Sequence, residues 1–169
     1  HFTLTDAACA SYDPVFKVHP PLRTDVDVRA IREGLADGTI DAIATDHAPH
    51  APHMKELPFD QAPPGMLGLE TAFALALGES GLDLPEVLGL LSWRPAAIAG
   101  VADRHGAPRV PGAPANLCVL DPDGTWTVSG AAMASLSSNT PYEGRTMRGR
   151  VRHTIRAGVP VVVDGEALL

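Results

Sequence analysis

Residues 40–50 of the chain read IDAIATDHAPH, and this stretch decides the fold class that we predict. The residues before Asp46 are apolar except for Asp41 and Thr45; a glycine lies upstream and a proline-containing turn follows. A short apolar run between turn residues is typical of a strand that is buried on both faces of a parallel sheet. We therefore predict a buried parallel strand over residues 40–45, with Asp46 directly after its end.

Helical signals flank this strand on both sides. Upstream, Thr24 and Asp27 form a capping signal, and apolar residues then recur at helical spacing as far as Gly38. Downstream, further helices are indicated at residues 69–77, 83–86 and 94–99. A helix, a buried strand and more helices in this order predict an α/β fold.

The pattern changes after Gly106. Proline and glycine become frequent, and the apolar runs that follow are short and rich in β-branched residues. These runs predict strands at residues 117–120, 126–128, 151–155 and 159–163. We therefore place a domain boundary here, with an α/β part over residues 1–105 and a small β part over residues 106–169.

The composition limits the kind of partner that the chain can bind. A formal net charge of -7 argues against nucleic acid and against an anionic membrane surface, since both need clustered Lys and Arg. No apolar run approaches the roughly 20 residues that span a bilayer, and the two cysteines lie far apart. We expect a cytoplasmic protein that acts on a small molecule. Because the chain opens on His1 rather than Met, we also expect it to be a fragment.

The densest group of chemically active side chains follows the predicted strand. Asp46, His47, His50 and His53 lie there within one short segment. In α/β folds the C-terminal ends of parallel strands form the floor of the active site. A carboxylate at such a place can bind a divalent metal and can take a proton from a water that the metal activates. Asp46 is therefore the candidate catalytic residue and metal ligand.

Two other interpretations of this segment remain open from the residues alone. An Asp before an Ala-Pro turn is common turn chemistry, so Asp46 could cap the turn while the histidines are solvated. Alternatively, the three histidines could form a metal cluster of their own. The prolines between them disfavour the helix that would align them at i and i+3.

Residues 40–50 resemble the last barrel strand, and the signature that follows it, in bacterial dihydroorotases of the amidohydrolase superfamily. Residues 106–121 resemble the Gly-x-Pro-Ala-Asp-Leu run found across amidohydrolases, with Asn116 at the Asp position. Further matches lie at residues 16–23 (FKVHPPLR), 62–71 (APPGMLGLET) and 138–144 (SNTPYEG). The resemblance covers nearly the whole chain.

The resemblance implies a fold and a reaction. The fold would be the C-terminal end of a (β/α)8 TIM-type barrel, followed by strands of a small β-sandwich domain. The reaction would be that of a zinc-dependent dihydroorotase, which interconverts N-carbamoyl-L-aspartate and dihydroorotate in pyrimidine biosynthesis. Asp46 would be the metal ligand from strand eight and the general acid/base, which deprotonates the attacking water and delivers that proton to the leaving ring nitrogen.

The resemblance also implies substrate-binding residues. His50 would hold the substrate carboxylate, and Pro64 and Gly65 would contact the pyrimidine ring through their backbone. His19 occupies the position at which the family usually has an asparagine whose amide contacts the substrate. Because histidine cannot both donate and accept like an amide in every orientation, an allantoinase or hydantoinase-type enzyme is the alternative.

The family's zinc centre is binuclear, and most of its ligands have no counterpart in this chain. Because zinc needs about four donors and Asp46 supplies one, we expect the isolated chain to be inactive. The expected partners are the small substrate and either a second copy of the chain or aspartate transcarbamoylase. Some dihydroorotase-like chains lack the zinc ligands and are structural partners of that enzyme, a role against which the intact Asp46 argues.

Overall fold

Helices occupy the first part of the chain, and a small antiparallel sheet occupies the last part. The computed structural model describes residues 1–106 and 110–168. The α-helices are α1 (Asp25–Ala36), α2 (Pro52–Lys55), α3 (Ala72–Glu79), α4 (Leu84–Leu88) and α5 (Arg94–Ile98), with a π-helical turn at Gly89–Trp93. Short 3-10 turns lie at Asp6–Ser11, Pro14–Phe16 and Gly130–Ala132. No helix in the described part of the chain combines the length and the apolar character needed to cross a bilayer.

Helix α1 begins where the sequence predicts. Thr24 is its N-cap, and the backbone N–H of Thr24 donates to the Asp27 carboxylate at 3.1 Å in a capping box. The buried side chains of Val28 and Leu35 lie two turns apart on one face. The predicted cap of α4 is also confirmed, because the Asp83 side chain accepts a hydrogen bond from the backbone N–H of Glu86, the third residue of that helix.

The buried parallel strand predicted over residues 40–45 is wrong. This segment lacks strand pairing, and the one isolated bridge in the described residues joins His47 to Met66 in parallel orientation. Ala44 is exposed, and the N–H of Ile43 donates to the carbonyl of Leu90 at 2.9 Å. A parallel strand needs neighbouring strands that supply its hydrogen bonds, and none lies beside this segment within residues 1–106 and 110–168.

The sheet has the order β1-β2-β3-β4, and its neighbouring strands are antiparallel. The strands are β1 (Leu117–Thr127), β2 (Thr146–Arg156), β3 (Val159–Val163) and β4 (Glu166–Ala167). The runs predicted at 117–120 and 126–128 belong largely to the single strand β1, which continues through an irregularity between Asp121 and Thr125. There the Asp121 carboxylate accepts the backbone N–H of Gly124 at 2.8 Å, which closes the local turn.

Helix α3 packs on β2 and joins the helical part to the sheet. Ala74 of α3 lies in one buried cluster with Val128, Tyr142 and Met147. On the neighbouring face, a Cβ placed on Gly149 would lie 2.9 Å from a methyl carbon of Leu77, so the strand backbone lies directly against the helix. The helices and the sheet therefore share buried contacts across residue 106, while the division at 105/106 stays a prediction.

The end of α3 is also held by charge. The Glu79 carboxylate accepts a hydrogen bond from Arg32 of α1 at 3.2 Å and a second one from Arg145, just before β2. Near this network, the hydroxyls of Thr3 and Tyr142 lie 2.6 Å apart. Burial raises the pKa of Tyr142, so this phenol stays protonated and able to donate at neutral pH.

Candidate active site

Three loop segments meet around Gly65. The N–H of Gly65 donates to the carbonyl of Lys17 at 2.8 Å, and the N–H of Ala48 donates to the carbonyl of Met66 at 2.9 Å. With the bridge between His47 and Met66, these bonds bring residues 17–19, 46–50 and 64–68 side by side. These are the segments from which the sequence predicts the site residues.

Asp46 lies between residues 40–45 and the loop that carries the three histidines. Its φ of 45° is in the left-handed region, which costs a non-glycine residue free energy and often marks a functional position. The side chain is exposed and makes no hydrogen bond within residues 1–106 and 110–168. Asp46 also lines, with His1 and Val18, a largely apolar cavity of about 220 Å³. Its carboxylate is therefore free to meet a cation or a water molecule.

The three histidines do not form a metal cluster. His47 faces the backbone, because its Nδ1 accepts N–H groups from Gly68 at 3.1 Å and from Leu69 at 3.3 Å. His53 is exposed on α2, a helix that Pro52 begins rather than prevents, since proline fits the first turn. The described residues contain no group of three His, Cys, Asp or Glu side chains that could hold a metal. The interpretation of a separate histidine cluster is therefore wrong.

His50 packs against the loop that carries Pro64 and Gly65. Its Nε2 lies 3.0 Å from the carbonyl oxygen of Pro64, and its backbone N–H donates to Oδ1 of Asn139 at 3.2 Å. Because a carbonyl oxygen only accepts, Nε2 carries the proton in this contact. The structure thus brings three of the predicted substrate-binding residues into direct contact.

Gly65 has no room for a side chain. Its φ is 140°, and a Cβ built there would lie 2.7 Å from both the Ala48 Cβ and the His50 Nε2. A separation of that size is a clash, so any larger residue would push the Ala48–His50 loop away. Glycine here allows the close approach of the two loops.

His19 is not brought into contact with these residues. Its side chain is exposed, and in the described part of the chain it makes no hydrogen bond. It is linked to the site only along the backbone, since Lys17 accepts the N–H of Gly65. The neighbouring Pro20 carbonyl lies 2.7 Å from Nε2 of His1, which fixes the turn after His19.

The side chains of Lys17 and Lys55 connect the loop between Ala51 and Gly65 to residues 14–17. Lys55 donates to the carbonyls of Pro14 and Pro63, each at 2.9 Å, and Lys17 donates to the carbonyl of Phe59 at 2.7 Å. Burial lowers the pKa of Lys55, and the positive charge of Lys17 lowers it further. The hydrogen bonds from the two ammonium groups are charge-assisted, and they hold the loop next to the site.

Asn139 is a residue of the site to which the sequence pattern assigns no role. It lies far along the chain, in the SNTPYEG segment, yet its side chain contacts the loops of both His50 and Gly65. The only sequence signal was the match of that segment to the C-terminus of dihydroorotases and allantoinases. Tertiary contact, which spacing in the sequence does not reveal, brings Asn139 to the site.

Comparison with known proteins places this architecture in a family. The model of the Amidohydrolase family matches residues 18–161. The chain belongs to this family. This amidohydrolase chain is 50% identical over 167 residues to a dihydroorotase of Mycobacterium leprae, an alignment that covers 94% of this chain and 37% of that protein. It is 49% identical over 170 residues to a dihydroorotase of Streptomyces coelicolor, covering 98% of this chain and 40% of that protein. The chain spans about two fifths of the length of these relatives.

Solved structures of related hydrolases have the same fold over this region. The L-hydantoinase (dihydropyrimidinase) from Arthrobacter aurescens matches with a TM-score of 0.88 at 26% identity, over 99% of this chain and 39% of that one. A D-hydantoinase (dihydropyrimidinase) from Thermus sp. matches with a TM-score of 0.84, also at 26% identity, over the same shares of the two chains. The amidohydrolase chain thus has a mixed helix and sheet architecture found in hydantoinases.

The donor set tests whether a metal fits here. Asp46 offers a carboxylate with no protein partner in the described residues, which suits one ligand position. His47 is engaged at Nδ1 by two backbone N–H groups, so that nitrogen is not available to a metal. The described residues therefore fit a single ligand of a metal centre and do not make a complete centre among themselves.

Proposed function

We propose that this amidohydrolase chain is part of a zinc-dependent dihydroorotase, which interconverts dihydroorotate and N-carbamoyl-L-aspartate. The observation that carries the proposal is the identity of about half of all residues to dihydroorotases along nearly the whole chain. That likeness includes the three segments that meet at Gly65. An L-hydantoinase and a D-hydantoinase (dihydropyrimidinases) are among the structural neighbours, but each at 26% identity.

In this proposal Asp46 has two tasks. Its carboxylate would be one ligand of a binuclear zinc centre whose other ligands come from outside this chain. When bound, zinc supplies Lewis-acid polarisation of the amide and a water acidic enough to react near neutral pH. The Asp46 carboxylate would accept a proton from the attacking water and return it to the leaving ring nitrogen. Within residues 1–106 and 110–168 its side chain has no hydrogen-bond partner, which supports this role because the carboxylate is not committed to a cap.

The substrate would lie over the loop contact between His50 and Gly65. An imidazole donor suits the substrate carboxylate, and the exposed Pro64 and the buried Gly65 beside it would contact the ring through their backbone. His19 would approach from the segment beside Gly65 and replace the asparagine amide usual in the family. The half-buried His50, already oriented by Pro64, supports this arrangement.

The larger architecture is proposed on the same basis. Residues 1–105 would form the last part of a (β/α)8 TIM-type barrel. Residues 106–169 would contribute strands to a β sandwich. Because Asp46 would be the only zinc ligand in the chain, the chain by itself would be inactive. A homodimer or a complex with aspartate transcarbamoylase stays a prediction.

Substrate preference of the full natural polypeptide that carries this chain tests the proposal. We expect the zinc-loaded protein to cyclise N-carbamoyl-L-aspartate and to hydrolyse dihydroorotate, with a kcat/KM at least about 100-fold above those for hydantoin and allantoin. A higher kcat/KM for hydantoin or allantoin would contradict the dihydroorotase proposal and favour the alternative, an allantoinase or hydantoinase-type enzyme. Absence of turnover with every ring, in protein that has bound zinc, would favour a non-catalytic partner.

A further inference from the structure

Asn139 ties the two substrate loops together through its side-chain amide. Nδ2 donates to the carbonyl of Ala48 at 3.0 Å and to the carbonyl of Gly65 at 3.2 Å. Oδ1 accepts the backbone N–H of His50 at 3.2 Å. Both amide hydrogens and the amide oxygen are therefore used, and the two carbonyl acceptors fix which way the amide points.

The backbone of Asn139 adds a further link. Its carbonyl accepts the N–H of Leu67 at 3.1 Å, and the residue is only 7% exposed. Buried polar groups that lose a partner cost more free energy than solvated ones, because water cannot replace the lost bond. Asn139 thus adds four hydrogen bonds to the direct ones that join the loops at Ala48–His50 and Gly65–Leu67, and it ties both loops to a third segment.

The segment around Asn139 is itself anchored to the sheet end of the molecule. A Cβ on Gly130 would lie 2.6 Å from the carbonyl oxygen of Ser138, so these backbones are in close contact. Tyr142 is buried in the cluster with Val128 and Met147. Asn139 therefore links the substrate loops to a segment that packs against the buried cluster at the sheet.

We infer that Asn139 is a positioning residue that sets His50 and the Gly65 backbone at the spacing in which they bind substrate, an inference that rests on the dihydroorotase function proposed above. It touches the loops and not the substrate. No other residue type reproduces its pattern. Aspartate would place a carboxylate against two carbonyl oxygens, and alanine would leave two carbonyls and an N–H without partners.

The test compares Asn139→Ala with Thr140→Val in the full natural polypeptide. Thr140 is a matched control, because it is similarly buried and its hydroxyl, as far as the described residues show, bonds within its own segment, where it accepts the N–H of Tyr142. We expect Asn139→Ala to raise the KM for dihydroorotate at least about tenfold, with kcat changed less than about threefold. We expect Thr140→Val to leave the KM for dihydroorotate within about twofold of that of the unsubstituted protein, even if it lowers the melting temperature as much as Asn139→Ala does.

An unchanged KM in Asn139→Ala, with a loss of thermal stability like that of the control, would overturn the inference. Should the alanine variant not fold, Asn139→Asp retains the volume and Oδ1 acceptor but loses both donors, and the same rise in KM is expected. If the unsubstituted protein turns over no dihydroorotate, the proposed function fails, and amide hydrogen exchange then decides the inference. Faster exchange over residues 46–50 and 64–67 in Asn139→Ala alone supports positioning, and equal exchange in both variants contradicts it.

Discussion

The Nε2 atom of His50 lies 3.0 Å from the carbonyl oxygen of Pro64, so one proposed substrate-binding residue orients the side chain of another. A substrate carboxylate can reach this imidazole in two ways. It can replace Pro64 as the acceptor of Nε2–H, or it can meet Nδ1–H of the protonated ring. Either way, the loop contact holds the ring in place before substrate arrives.

Removal of this imidazole should weaken substrate binding. We expect His50→Ala to raise the KM for dihydroorotate by about tenfold or more, because a charge-assisted hydrogen bond to the carboxylate is lost. His53→Ala is the control, since His53 is exposed on α2 and belongs to no predicted subsite. Steady-state kinetics that give both variants the same KM as the unsubstituted protein would remove His50 from the binding site.

Gly65→Ala should damage the site more than a glycine replacement elsewhere. The new Cβ would meet both Ala48 and His50 at 2.7 Å, so we expect a stability loss of about 1–3 kcal/mol together with a raised KM. Gly81→Ala is the control, because Gly81 also has a positive φ of 79° but has nothing within 4 Å. It should cost about 1 kcal/mol and leave KM unchanged.

Urea denaturation and substrate titration of these two variants give the comparison. Equal effects of the two substitutions on KM would mean that the close approach at Gly65 is not needed for binding.

The lowered pKa of Lys55 predicts that the stability of the folded chain depends on pH in the alkaline range. Burial lowers the pKa of Lys55 in the folded chain below its ordinary value of 10.5. Between these two pKa values the unfolded chain binds more protons, so stability rises as pH increases through that window. Lys55→Met removes the titrating group and should remove this share of the rise.

The measurement is the melting temperature between pH 7 and 10, taken as the difference between variant and unsubstituted protein, in which groups common to both cancel. Lys17→Met is the control. It should reduce the rise without abolishing it, because the charge of Lys17 is only the second cause of the lowered pKa. If the melting temperature of Lys55→Met depended on pH in the same way as that of the unsubstituted protein, the lowered pKa of Lys55 would be contradicted.

Local signals were sufficient for much of the fold. The capping pair of Thr24 and Asp27 and the N-cap Asp83 are confirmed, and the strand predicted at 159–163 coincides with β3. Each depends on residues within a few positions of one another, which is why the sequence alone reveals them.

The misses come from contacts between distant residues. The segment at 40–45 has the composition of a buried strand, but pairing depends on neighbours that the described residues do not provide. Strand β1 continues past Asp121 because its side chain closes an irregular turn within the strand. Sequence patterns do not reveal the role of Asn139, because its partners His50 and Gly65 lie far away in the chain.

The kcat for dihydroorotate hydrolysis in Asp46→Asn, beside Asp41→Asn, tests the central claim most directly. Asparagine is well tolerated in the left-handed conformation of residue 46, so this change removes the proton acceptor without straining the backbone. Asp41 is a matched control, an exposed carboxylate on the same segment. We predict that Asp46→Asn lowers kcat by about 10²–10⁴-fold in the full natural polypeptide, while Asp41→Asn stays within about twofold. A kcat in Asp46→Asn within about twofold of the unsubstituted protein would contradict the account.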